Sequence, residues 1–263
     1  MPPELERFPA MPYPTVDLVY WRPKANVNFG DELGRTIVEL MLAQRGMTVF
    51  DEVRKTRRLL TVGSILHHAE DRSVIWGTGR NASALDRSHF FNSLDVRAVR
   101  GPRTREFLAQ RGIHAPEVFG DPALLMPDLA AGRFDKTGEF EAGLVPNLND
   151  YEEGLSFDQA PIPVVRPTRS WNVVIREILR YRFIVASSLH GLVIAEAFGI
   201  PARYVRFTNR EGLFKYHDYY EGTGRQLGNI PVSIQEALEM GGKKPPIIDK
   251  ASLMNSFPYD IWS

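Results

Sequence analysis

Between Phe183 and Tyr204 the chain reads FIVASSLHGLVIAEAFGIPARY, and this stretch constrains the fold more than any other. Phe183–Ala186 is a short apolar run of strand type, and Ser187-Ser188 supplies a helix cap. Leu189–Phe198 has the length of a helix, Gly199 ends it, and Pro201–Val205 is the next strand. Strand, helix and strand in so short a space make a βαβ unit, whose two strands run parallel in one sheet.

The same alternation extends along the chain. Asp17–Trp21 reads as a first strand and Arg22–Gly30 as a loop. Asp31 to about Arg45 reads as a helix with Leu33, Ile37, Leu40 and Met41 on one face, stopped by Gly46. Leu59–Val62, Val74–Trp76 and Val96–Val99 are short apolar runs of the kind buried parallel strands show. Gly101, with Pro102 as first helical residue, opens a helix to Gln110, with Gly112 beyond its end, and Glu117–Phe119 leads into Gly120-Asp121-Pro122. After the polar, glycine-bearing stretch Ala130–Phe140, Gly143–Pro146 reads as a strand, Ser170–Arg180 as a helix and Ser233–Met240 as a short helix. The expectation is an α/β chain with parallel sheet. It divides into an N-terminal domain (1–133), a C-terminal domain (134–245) and a tail (246–263) whose Leu253, Met254, Phe257, Tyr259 and Trp262 pack back on the first domain.

Composition narrows the function. Thirty-two basic residues balance thirty-two acidic ones, which argues against a nucleic-acid binder or a polybasic membrane anchor, so anion recognition must be local. No cysteine is present, which excludes disulfides and thiolate metal sites. The start MPPELERFPAMPYPTV lacks the basic and apolar regions of a signal peptide, and no apolar run approaches the roughly 18 residues of a spanning helix. A cytoplasmic location is expected, with peripheral membrane contact through a substrate leaving no mark.

Four segments can carry chemistry. His190 stands in the first turn of a helix that follows a strand, where α/β folds bind ligands and free N–H groups favour anions. Its plainer role is a structural histidine. Ser187 or Ser188 can cap that helix and donate to an anion. Arg100, closing a strand in DVRAVRGPRT, offers a guanidinium for carboxylate or phosphate, while Arg97 and Arg103 are expected to face water. Asp31, in NVNFGD, is either an N-cap or, across a cleft from His190, a base for a hydroxyl proton. Phe214–Arg225, FKYHDYYEGTGR, reads as an irregular loop, either functional or an ordered surface segment. Two signals are discounted. Gly77–Ala82 fits G-x-G-x-x-A, but Ser83–Phe91 does not continue as a striped helix. His67, His68 and His89 match no standard metal spacing.

Together NFGD (28–31), VGSILH (62–67), WGTG (76–79), LDVRAVRGPRT (94–104), GDPALL (120–125), SSLHGLVIAEAFGIP (187–201), FKYHDYYEGTGR (214–225) and FPYDIW (257–262) resemble the polysaccharide pyruvyl transferase family. They look closest to the xanthan ketal pyruvate transferase branch. The resemblance implies two Rossmann-like domains facing each other across a cleft, as in GT-B glycosyltransferases. It also implies phosphoenolpyruvate as donor, no further cofactor or metal, and a lipid-linked oligosaccharide acceptor at the inner membrane face. By that likeness Arg100 binds phosphoenolpyruvate, and His190 is both ligand and acid–base residue, within the turn Ser187, Ser188, Leu189, His190 and Gly191. Many relatives carry Arg where this chain has Ser188, so Lys215 and Arg225 are candidates for the missing charge. Relatives often read VPH where this chain has Pro146-Asn147, leaving the role of Asn147 open. Asn28, Gly30, Asn147, Tyr216 and Tyr219 are assigned to the acceptor and cleft. The rival readings are a GT-B glycosyltransferase using a nucleotide sugar, with Glu196 on the ribose, and a non-catalytic carbohydrate-binding relative.

Overall fold

Two parallel sheets organise the computed structural model, which describes residues 11–20, 27–81, 88–152, 157–209 and 211–263. The first has strand order β1 (Asp17–Val19), β2 (Arg58–Leu60), β3 (Ser73–Trp76), β4 (Leu94–Ala98). The second has order β5 (Phe140–Val145), β6 (Tyr181–Ala186), β7 (Ala202–Tyr204). Every pairing within them is parallel. The mixed α/β class expected from the alternation is therefore observed. The expected Glu117–Phe119 strand is only a single bridge, Val99 to Phe119. The end of the expected first strand at Trp21, and most of the Ser83–Phe91 segment, lie outside the described residues.

The helices follow from caps and apolar faces. Helix α1 (Phe29–Ala43) is capped by Asn28, whose side chain accepts from Gly30 N, and it buries Leu33, Ile37 and Met41 on one face. Helix α2 (Pro102–Ala109) starts on Gly101 with Pro102 in its first turn. A 3-10 turn, Pro122–Leu125, continues into α3 (Met126–Leu129). In the second half come α4 (Leu148–Glu152), α5 (Trp171–Ile178) and α6 (Leu189–Ala197). Nearly all of α6 is buried, so apolar residues occupy all its sides, as a helix enclosed by protein demands. Each large aliphatic side chain sealed there, Leu192 or Ile194, contributes about 1.5–3 kcal/mol.

Three features join the halves. The turn Pro122–Leu125 packs against both α1 and α6, and one continuous hydrophobic cluster includes Leu33 and Leu192. Helix α7 (Phe214–Gly222) packs on α2, where Asp218 holds Arg100. Beyond α8 (Ile234–Met240), helix α9 (Lys250–Asn255) and a final 3-10 turn (Tyr259–Trp262) lie on the first sheet. There Trp76 Nε1 donates to Leu253 O at 3.0 Å, and Arg97 pairs with Asp260 at 2.8 Å. Arg97 thus ties down the tail and Arg103 pairs with Glu221, where open solvent was expected for both.

The segment 214–222 corrects one expectation: it is a helix, not an irregular loop. Tyr216, Tyr219 and Tyr220 recur at helical spacing and are fully buried, so their rings form the helix's inner face. The aromatic and charged composition hid a period of three to four.

Candidate functional site

A cavity of about 400 Å³ lies where the carboxyl ends of strands from both sheets meet. Ser64 and Asn81 reach it from the loops after β2 and β3, and His67 from a one-turn 3-10 helix. Asn147 and Asn149 enter after β5, and Ser188 and His190 from the start of α6. Asn28 and Asp31 close it from the first turn of α1. Parallel sheets place ligands at this edge because the strand carboxyl ends, the following loops and the helix N-termini all converge there. The loops after β2 and β3 are stitched together: Thr78 Oγ1 donates to Gly63 O at 2.8 Å, and Gly79 N donates to the same carbonyl at 3.0 Å.

His190 is held by the first half of the chain although it belongs to the second. A Cβ built on Gly30 would stand 2.2 Å from His190 Nδ1, so only glycine lets α1 approach the ring. On the other side Nε2 lies 3.6 Å from Asp121 Oδ2. Asp31 follows Gly30 on the cavity wall, and Asn28 Nδ2 donates to its Oδ2 at 2.7 Å. Burial raises the Asp31 carboxyl to about 6, against the opposing pull of His190, the Asn28 hydrogen bond and Lys215. Asn28, not Asp31, caps α1, which leaves the Asp31 carboxylate to the cavity.

The anion-binding end is built around α6. Ser188 caps it by accepting from Gly191 N at 3.1 Å and still offers its hydroxyl hydrogen, while Leu189 and His190 begin the helix with free backbone N–H groups. Lys215 reaches the cavity ion-paired to Glu211, whose carboxylate also accepts from Asn149 Nδ2 at 3.0 Å and lies 3.2 Å from Tyr216 Oη. Asn147 bonds Asp150 in both directions, at 2.7 and 2.8 Å, which fixes its amide at the cavity rim. Ser187 turns inward and accepts from Asn147 N at 3.0 Å, and Gly191 serves packing, because a Cβ there would meet Val145 at 2.8 Å.

Several expected site residues stand elsewhere. Arg100 is fully buried and does not line the cavity; its Nε donates to Asp218 at 3.1 Å and its Nη2 to Arg80 O at 3.3 Å. It reaches the cavity only through Ser64, whose Oγ accepts from Nη1 at 2.6 Å. Arg225 is a bidentate partner of Glu196, at 2.7 and 2.8 Å, outside the cavity. Tyr216 and Tyr219 are not cleft aromatics: their rings are in the core, and their hydroxyls donate to Ser187 O and Glu196 Oε2, each at 2.6 Å. Glu196 is thereby enclosed by Arg225 and Tyr219, leaving no carboxylate for a ribose.

Sequence reasoning passed over His67, Asn81, Asn149 and Glu211. His67 had been weighed only as a metal ligand. Burial, with His68 and His89 beside it, pushes its imidazole down to about 4, so it is neutral near pH 7. Its position two residues after a strand-end Gly63-Ser64-Ile65 turn was the available signal.

The cavity at the strand ends of this α/β fold brings the His190 imidazole and the raised Asp31 carboxyl together on facing helix starts, an arrangement suited to acid–base chemistry. The chain belongs to the polysaccharide pyruvyl transferase family, whose model matches residues 67–207, and it is a transferase. It is similar to the succinoglycan biosynthesis protein ExoV of Rhizobium meliloti (strain 1021), 29% identical over 236 residues, covering 85% of this chain and 71% of that protein. It is also similar to an uncharacterized protein of Acanthamoeba polyphaga mimivirus, 24% identical over 205 residues, covering 74% of this chain and 70% of that protein. A crystal structure of an uncharacterized protein from Klebsiella pneumoniae covers 78% of this chain and 87% of its own, with a TM-score of 0.46 and 10% identity, too remote a likeness to bear on function.

Proposed function

We propose that this chain transfers the pyruvyl group of phosphoenolpyruvate to a sugar of a bacterial exopolysaccharide repeat unit, forming a pyruvate ketal and releasing phosphate. The observation that carries this reading is the meeting of His190, at the start of α6, with Asp31, in the first turn of α1, on the wall of one cavity. The two sheets are read as two Rossmann-like domains, 1–133 and 134–245, in a GT-B-like arrangement, with 246–263 crossing back. A lipid-linked oligosaccharide is the proposed acceptor, handled from the cytoplasmic side. Among the described residues no helix is long and apolar enough to cross a membrane.

The donor's carboxylate and phosphate need fixed positive ends. The free N–H groups of α6, the Ser188 hydroxyl and Lys215 supply them, and Arg100 orients the Ser64 hydroxyl from behind. One sugar hydroxyl adds to C2 of the enol ether and loses its proton to Asp31, while the methylene carbon takes a proton from His190. A second hydroxyl then attacks C2 and passes its proton to the now neutral His190, while the C2–O bond to phosphate breaks and the proton held by Asp31 goes to the departing group, giving ketal and inorganic phosphate. The Asp31 carboxyl, raised to about 6 by burial, can exchange protons near neutral pH, as general acid–base work requires. Asn28, Asn81, Asn147 and Asn149 are suited to sugar hydroxyls, each amide being both donor and acceptor.

The test is incubation of the protein with phosphoenolpyruvate, or with nucleotide sugars, and a lipid-linked acceptor, following phosphate or nucleotide release. Phosphate release that depends on acceptor and is lost in His190→Ala supports the reading; near-normal turnover by that variant rejects the role of His190. Mass spectrometry of the host exopolysaccharide with and without the protein checks the product as pyruvate ketal.

A further inference from the structure

Asp121 belongs to the turn that joins the halves and is fully buried. One of its oxygens, Oδ1, accepts from Ala123 N at 3.0 Å and caps the Pro122–Leu125 turn. The other, Oδ2, is buried without a hydrogen-bond partner, and so is Nε2 of His190. These two atoms face each other at 3.6 Å. Buried polar atoms are paired in about nine cases in ten. The separation exceeds a hydrogen bond of roughly 2.7–3.2 Å by a few tenths of an ångström, and no other hydrogen-bond partner competes for either atom.

We propose that Asp121 is the positioning residue for His190: it takes the hydrogen bond of Nε2–H, and so leaves Nδ1, on the Gly30 side of the ring, as the nitrogen that exchanges protons with the reacting groups. The inference rests on the pyruvyl-transfer reading for its catalytic meaning. The other titratable groups of the site, Asp31 on α1, Glu211 and Lys215 by the start of α7, and His67 in its 3-10 turn, all line the cavity. Asp121 does not line it and meets the ring from the protein side. Its carboxylate also stabilises the imidazolium once His190 is protonated, as a buried carboxylate does behind a catalytic histidine.

Asp121→Asn separates positioning from folding. The Ala123 N–H keeps the amide oxygen in the cap, so the amide nitrogen falls opposite Nε2 and donates to it. The imidazole proton is then driven to Nδ1, the inverted tautomer. Nitrogen-15 NMR of the histidine rings in the full chain, without substrate, reads this directly, with His190→Gln identifying the signal. The expected result is an Nε2–H tautomer for the neutral ring in the wild type and Nδ1–H in Asp121→Asn. The variant's kcat should fall roughly 10²-fold or more, while KM for phosphoenolpyruvate and the circular dichroism stay near wild type. A wild-type ring protonated on Nδ1, or a variant with wild-type tautomer and kcat, overturns the proposal. A wild type that transfers no pyruvate sinks the functional reading instead, and the tautomer measurement still decides the Asp121 contact.

Discussion

Gly30 and His190 are in contact across the two halves of the chain, so close that a methyl group on Gly30 would overlap the imidazole at 2.2 Å from Nδ1. Gly30 lies within α1, where alanine suits the backbone at least as well. Gly30→Ala is therefore expected to fold but to displace the His190 ring. Pyruvyl transfer should drop about 10²-fold, the usual consequence of moving a reacting group by an ångström. Unchanged kcat in a correctly folded Gly30→Ala protein would show that the contact is incidental.

Asp31 carries a stability cost, and the sign follows from its raised carboxyl. It holds a proton up to about pH 6 when folded but only to 3.8 when unfolded. The folded state thus binds more protons across that window, and stability falls as pH rises through it. The ionised form costs at most roughly 3 kcal/mol above pH 6. Asp31→Asn should therefore melt higher than wild type at pH 8 and no higher below pH 4, while transfer falls about 10²- to 10⁴-fold. In the wild type, turnover should decline as pH falls through about 6. Melting curves and initial rates across pH measure both.

Arg100 and Asp218 form an ion pair with no exposed surface, and Asp218 also accepts from Thr104 N at 3.0 Å and Thr104 Oγ1 at 2.7 Å. Asp218→Ala strands a buried guanidinium and should lower unfolding free energy by about 3–5 kcal/mol in urea titrations. Arg100→Met combined with Asp218→Leu removes both charges and should recover part of that loss, though not the transfer activity.

Glu196 provides a check on donor choice. Its carboxylate is saturated by Arg225 and Tyr219. Glu196→Gln should lower the melting temperature and leave KM for phosphoenolpyruvate unchanged. A selective loss of nucleotide-sugar binding in that variant would instead place Glu196 at a donor site.

Much of the scaffold was legible before any coordinates. Ser188 stands as the N-cap residue of α6, and Pro102 opens α2, because caps and first-turn prolines act over three or four residues. The segment 214–222 was misread because its tyrosines carry hydroxyls that suggest a polar surface, while their rings follow the helical period of a buried face. His67 was passed over because no local pattern marks a histidine that a loop will turn into a cavity.

The sequence alone determined the parallel α/β architecture and placed His190 at a helix start beyond a strand end, since both depend on short-range periodicity and capping. Tertiary structure alone decided which charges stay available. Arg100 is claimed by Asp218, 118 residues away, and Arg225 by Glu196, 29 residues away. Only three-dimensional packing brings Gly30 and Asp121 to opposite sides of one imidazole. Charge pairing and desolvation depend on distance in space, and the chain's local pattern carries no record of that distance.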